Sequence, residues 1–217
     1  ALPMPAERGF RRAGILAVAA ADLLGSRARR GDTVAAGQGL PDQVGIRIGL
    51  KRYMDVGTRL GFQKPTGIDL PTETRNEFPA GVEWWEDHYG YPPNENEIMT
   101  LSIGQGAVVM TPLKMAVLFA MMARPDGVAL EPRIAQLPDV EPRVAFDLKI
   151  GEEHMESLRK GLRRVVGPQG TARLSRLQNW DFMGKTGTAQ ACAMGRGCTL
   201  RDHAWFVGMA GPFGQHP

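Results

Sequence analysis

Met155, Leu158, Leu162, Val165 and Val166 recur every three or four residues, so the spacing predicts an amphipathic helix from Gly151 to Val166. Glu152 and Glu153 near its start, and Arg163 and Arg164 near its end, suit the helix dipole; Gly167-Pro168 stops it. A shorter helix, Thr171 to Leu177, is expected next. Thr111-Pro112 predicts another helix start, because Thr111 carries a capping hydroxyl and Pro112 lacks an N–H where the helix needs none. From Leu113 to about Ala123 the chain is apolar nearly all round, which predicts a buried helix.

Other stretches are less decisive. Leu50, Tyr53, Met54 and Leu60 have helical spacing with Gly61 as the C′ residue, but the alternation Val44, Ile46, Ile48, Leu50 equally permits a strand. Residues 63–98, rich in Pro, Gly, Asn and Glu, are too long for a simple connection and predict a packed or functional excursion. Residues 124–150 read as a Pro-punctuated connection with short extended pieces. Phe182 to Gln190 and His203 to Met209 read as two strands of an antiparallel hairpin, joined through 191–202 with Gly195 and Gly197. The mixture predicts an α/β (α+β) fold, and the 27 glycines and 16 prolines in 217 residues argue against a helical bundle.

Charge changes the picture at one end only. The net charge is +3, and residues 1–40 already account for it with six arginines against Glu7, Asp22 and Asp32, leaving the rest neutral. A basic folded face is what a nucleic-acid partner requires, and none is indicated. The Ala/Gly/Arg-rich start shows no sustained period apart from the apolar run Ala13 to Leu24, which is too short to span a bilayer. It faintly resembles a secretory leader, but a poorly ordered arm is the preferred expectation.

The sharpest chemical signal is Lys185-Thr186-Gly187-Thr188 on a predicted strand. Lys185 sets a positive charge beside a cleft, and Gly187 lets a substrate approach the backbone closely. Strand alternation puts Lys185 and Gly187 on one face and Thr186 and Thr188 on the other.

With the blocks around it, this motif resembles the transpeptidase domain of penicillin-binding proteins. The blocks are Leu60-Gly61-Phe62 with Thr66-Gly-Ile-Asp-Leu-Pro71 and Glu73; Ser102-Ile-Gly-Gln-Gly106 with Thr111-Pro-Leu-Lys-Met-Ala116; Gly170-Thr171-Ala172; Gly184 to Gln190; and His203-Ala-Trp-Phe-Val-Gly208. Their order and spacing fit over about residues 44–210, and the class B-like, cell-elongation or division type fits better than the bifunctional type. The resemblance implies the fold of serine β-lactamases and their relatives, with an antiparallel sheet packed by helices. It implies a serine that attacks the D-Ala-D-Ala end of a peptidoglycan stem peptide, with β-lactams as mimics, on the outer face of the cytoplasmic membrane beside cell-wall synthesis machinery. No cofactor or metal is implied. Carried over, Lys185 supports catalysis electrostatically, and Thr186, Gly187 and Thr188 bind the substrate.

The departures are as informative. The family order is S-x-x-K, S-x-N, K-T-G. The four serines are Ser26, Ser102, Ser157 and Ser175; none begins Ser-x-Asn, and only Ser157-Leu-Arg-Lys160 spells S-x-x-K. Helical geometry turns Ser157 and Lys160 away from the Met155, Leu158, Leu162 face, towards solvent, so this serine is not the nucleophile. Where the resemblance places Ser-x-Asn, the chain has Ala35 to Gln43. The expectation is that residues 1–42 are a non-family arm, disordered or read from a shifted frame in G+C-rich DNA, and that 43–217 are the C-terminal part of the domain. The fragment is then inactive alone. The alternatives are a non-catalytic envelope scaffold and a serine β-lactamase or D,D-carboxypeptidase relative.

Cys192 and Cys198 permit either a loop-closing disulfide or two thiols. His203 alone nearby does not make a zinc site. His88, His154 and His216 have no evident partners, Trp84, Trp85, Tyr89 and Tyr91 read as packing within the excursion, and Asp87, Glu95 and Glu97 read as solvated surface.

Overall fold

The computed structural model describes residues 39–212, apart from 75, 95–96, 136–139, 148, 178 and 190–201. The expectations for residues 1–38 of the N-terminal arm, the Cys192–Cys198 pair, Glu95 and His216 lie outside the described residues, whereas residues 39–42, assigned to the arm, are the start of a helix.

The ambiguous opening segment is helical: α1 spans Gly39–Ile48 and α2 Leu50–Arg59, separated at Gly49. The alternating apolar positions of α1 do not make a strand because the segment packs against a second helix, α4, Glu97–Ser102. Gly61 follows α2 as the C′ residue with φ +63°, a left-handed conformation that favours glycine. The excursion is built around α3, Val82–Tyr89. Trp85 on α3 is buried, and Trp84 stacks on His88 with ring centroids 4.7 Å apart, so the aromatic group is chiefly packing.

Helix α5, Pro112–Ala123, runs through the core with Met115, Leu118, Phe119, Met121 and Met122 buried. Thr111 Oγ1 accepts from the Lys114 N–H at 3.2 Å, as the cap reading predicts. Beside α5, Tyr53, Phe62 and Phe78 form a ring cluster; Tyr53 donates to the Leu101 carbonyl at 2.9 Å, and burial pushes its phenol pKa up. The extended pieces of the Pro-rich connection are β1, Val128–Leu130, and β2, Val144–Asp147, paired antiparallel.

Helix α6, Glu152–Val166, buries Met155, Leu158, Leu162 and Val166. It also buries Arg159, a residue that the apolar pattern leaves on no predicted contact. The helix predicted over Thr171–Leu177 is only a 3-10 turn, Arg173–Ser175, with no buried side chain in it. Without an apolar face to bury, six or seven residues are too few to sustain an α-helix.

Two ten-residue strands close the fold: β3, Trp180–Ala189, and β4, His203–Pro212, antiparallel in unbroken register from Trp180 opposite Pro212 to Ala189 opposite His203. α6 packs on β3, and α5 on β1 and β4. Arg163 of α6 grips Asp181 of β3 with two hydrogen bonds, Nε to Oδ1 at 2.9 Å and Nη2 to Oδ2 at 2.6 Å. At Gly184 an added Cβ would lie 2.5 Å from the Phe206 ring and 2.7 Å from the Val207 carbonyl, so the phenylalanine crosses the strand where glycine leaves room.

Candidate active site

The four residues singled out in the sequence occupy the second half of β3. Lys185, Thr186, Gly187 and Thr188 face Val207, Phe206, Trp205 and Ala204 of β4. Strand alternation holds, with Met183 of the Lys185 face buried, while Phe182 of the Thr186 face meets Phe206, ring centroids 5.7 Å apart.

The site draws on two further blocks. The turn after α6 brings Thr171 beside the strand, and its hydroxyl lies 2.9 Å from that of Thr186. This turn is tight, because a Cβ on Gly170 would fall 1.9 Å from the Val165 carbonyl. From the segment after α4, the Gln105 carboxamide donates to the Thr188 carbonyl at 3.2 Å. Lys185 Nζ donates to the Thr186 carbonyl at 2.7 Å. Carbonyls two residues apart point to the same side of a strand, so Lys185 and Gln105 meet a row of backbone acceptors. Lys185 is half-buried, and that burial pushes its pKa below the ordinary lysine value. The arrangement combines a lysine in a partly dry setting, paired hydroxyls and a strand backbone, which suits binding a carboxylate-bearing extended peptide.

Sequence reasoning quoted Thr171 and Gln105 within blocks but gave neither a role. Gln105 lies 83 residues before Thr188, and no local period signals such a contact. Ser157 and Lys160 do not enter the site and are exposed on the outer side of α6, as helical geometry predicts. Ser175 is exposed as well, and Ser102 is buried on α4, where a Cβ on Gly45 would strike its hydroxyl.

Comparison with known proteins decides the family. The family model of the penicillin binding protein transpeptidase domain matches residues 38–212. The chain belongs to the penicillin-binding protein transpeptidase family. Penicillin-binding protein PbpB of Mycobacterium tuberculosis is 32% identical over 179 residues, covering 76% of this chain and 25% of that protein. The peptidoglycan D,D-transpeptidase MrdA of Haemophilus influenzae is 30% identical over 194 residues, covering 77% of this chain and 28% of that protein. This transpeptidase-family chain thus spans about a quarter of the length of the curated relatives it matches. Among solved structures, Pseudomonas aeruginosa PBP2 superposes with a TM-score of 0.67 at 27% identity, over 79% of this chain and 38% of that one. Penicillin-binding protein 3 of M. tuberculosis in complex with aztreonam gives 0.61 at 27% identity, over 79% of this chain and 39% of that one. The relatives are of the elongation or division type, and the fold is the serine β-lactamase-like fold, with helices against antiparallel strands.

Proposed function

We propose that the chain is the K-T-G-bearing part of a peptidoglycan D,D-transpeptidase domain, and that by itself it does not form the acyl-enzyme. The observation that carries the first half is the convergence of Thr171, Gln105 and Lys185 on the Thr186–Thr188 backbone of β3. In this reading, the stem peptide lies along β3 with its terminal carboxylate against Lys185 and the threonine hydroxyls. Its amide N–H takes the Thr188 carbonyl that Gln105 otherwise occupies. β-Lactams enter the same way, in keeping with the aztreonam complex of the 27% identical relative.

The second half follows from the serines. Acyl transfer needs a nucleophilic hydroxyl within hydrogen-bond reach of its base. Ser157 and Lys160 are exposed on α6, Ser175 lies exposed in the 3-10 turn, Ser102 is buried, and Ser26 has Arg29 rather than lysine three residues on. The nucleophile and base of the intact domain belong to S-x-x-K and S-x-N motifs that these 217 residues do not contain in usable form. The place of action is the outer face of the cytoplasmic membrane; among the described residues no helix is long and apolar enough to cross it.

Fluorescent penicillin tests both halves. The purified chain should take up no covalent label, and an in-frame extension that supplies S-x-x-K and S-x-N should restore labelling. In that extended protein, Lys185→Ala should then reduce labelling at least about tenfold, the scale of one lost charge-assisted hydrogen bond. Covalent labelling of the 217-residue chain would refute its inactivity. Failure of every upstream frame to supply the motifs would favour a non-catalytic scaffold, the reading that the missing serine motifs otherwise support.

A further inference from the structure

Thr171 stands outside the Lys185–Thr188 strand, in the turn after α6, yet its hydroxyl lies 2.9 Å from that of Thr186. Among the described residues, each of these hydroxyls has the other as its one hydrogen-bond partner. Thr171 is exposed and Thr186 is half-buried, so the pair lies at the surface of the site.

The turn is held without this bond. The Gly170 N–H donates to the Gly167 carbonyl and the Ala172 N–H to the Val165 carbonyl, each at 2.9 Å, and the Ala172 side chain is buried. Arg163 of the same helix grips Asp181, five residues before Thr186 on β3. Beside these ties, one hydroxyl–hydroxyl bond at the surface adds little to the stability of the turn. What it does fix is a proton. Two hydroxyls carry two protons; one closes the bond between them and the other is left for an outside acceptor. A carboxylate only accepts. Placed against Thr186, it selects the arrangement in which Thr171 donates to Thr186 and Thr186 donates onward. Accepting one bond also strengthens the one that the Thr186 hydroxyl gives.

We propose that Thr171 is a positioning residue: it donates to Thr186 and so aims the Thr186 proton at the terminal carboxylate of an extended peptide lying along β3. The inference rests on the reading of the site given above, and adds to it a residue that acts on the ligand only through Thr186.

The test titrates the 217-residue chain with acetyl-D-Ala-D-Ala and with its C-terminal amide, following threonine methyl resonances by NMR. The acid should shift the Thr186 methyl saturably, and the amide, which lacks the carboxylate, should bind at least about tenfold more weakly. Thr171→Val should weaken the acid about fivefold, and Thr171→Ser should retain its affinity. Thr186→Val should weaken the acid about tenfold, and in that background Thr171→Val should change nothing further, because the hydroxyl it acts through is gone. A structural role for Thr171 would instead add its full factor to that of Thr186→Val. If the acid does not bind the wild-type chain saturably, or the amide binds as well, the placement of the carboxylate fails and the positioning role with it. If the acid binds in preference to the amide, but Thr171→Val leaves its affinity unchanged or weakens it by the same factor with and without Thr186, the positioning role alone is overturned.

Discussion

Arg159 shows what one residue does when the fold closes around it. It is fully buried, yet its guanidinium donates to the Met122 carbonyl at 2.8 Å, the Arg124 carbonyl at 2.9 Å and Glu152 at 2.9 Å. Met122 and Arg124 lie at the end of α5, where carbonyls have no intrahelical partner, so a side chain from α6 caps a neighbouring helix. The planar fork is what reaches several acceptors at once, and lysine has no equivalent geometry. Arg159→Leu should therefore destabilise the protein by about 2 kcal/mol, because it strands the buried Met122 carbonyl rather than merely removing an ion pair, while the Arg124 carbonyl keeps the Gly127 N–H at 3.1 Å. Urea denaturation of the two proteins checks this. An effect below about 1 kcal/mol would mean that water or another side chain satisfies that carbonyl.

At the scale of elements, the helices form where apolar period and end chemistry agree. Helix α5 has little amphipathic pattern because nearly all of it is buried, so its start is set by the cap rather than by a face. The Thr111 hydroxyl satisfies the Lys114 N–H, and the Asn76 carboxamide oxygen accepts from the Thr111 N–H at 2.8 Å, locking the cap to the long excursion. Thr111→Ala should cost about 1 kcal/mol, and Thr111→Ser should restore most of it. Thermal melts of the three proteins separate loss of the cap from loss of the methyl group, since serine keeps only the hydroxyl. The β3–β4 ribbon is held differently, by its ladder, by the Arg163–Asp181 clamp and by the Phe206 ring lying over Gly184.

At the scale of the whole molecule, distant loops are tied by single carboxylates. Asp69, in the Thr66–Pro71 block, accepts from the Ile134 N–H at 2.7 Å and the Ala135 N–H at 3.0 Å. These bonds hold its pKa below the ordinary carboxylate value, with Ile134 contributing most and Arg133 adding a small attraction. A depressed folded pKa means that the unfolded chain takes up the proton first. The contribution is complete above the unfolded value of about 3.9 and is lost as pH falls through the folded value. The stability gap between wild type and Asp69→Asn should thus be constant near neutrality and shrink below about pH 4. Urea midpoints measured across pH would count against the clamp if the gap were independent of pH. Trp180 and Phe206 are exposed on the ribbon.

Local chemistry was enough to read α5 and α6, the Gly61 terminus, the antiparallel strands and the K-T-G strand from the sequence. Each of these rests on spacing or on a residue's own backbone preference, which acts over a few positions. The ordered motif blocks also made the family legible. Tertiary structure alone decided the rest. It made Val44–Ile48 helical by packing it against α4, and reduced 171–177 to a turn for want of a buried face. It also buried Arg159 and Lys114, whose fates depend on which carbonyls and carboxylates surround them. Gln105 reached Thr188 in the same way, since a hydrogen bond across 83 residues leaves no trace in local pattern and exists only once the chain has closed.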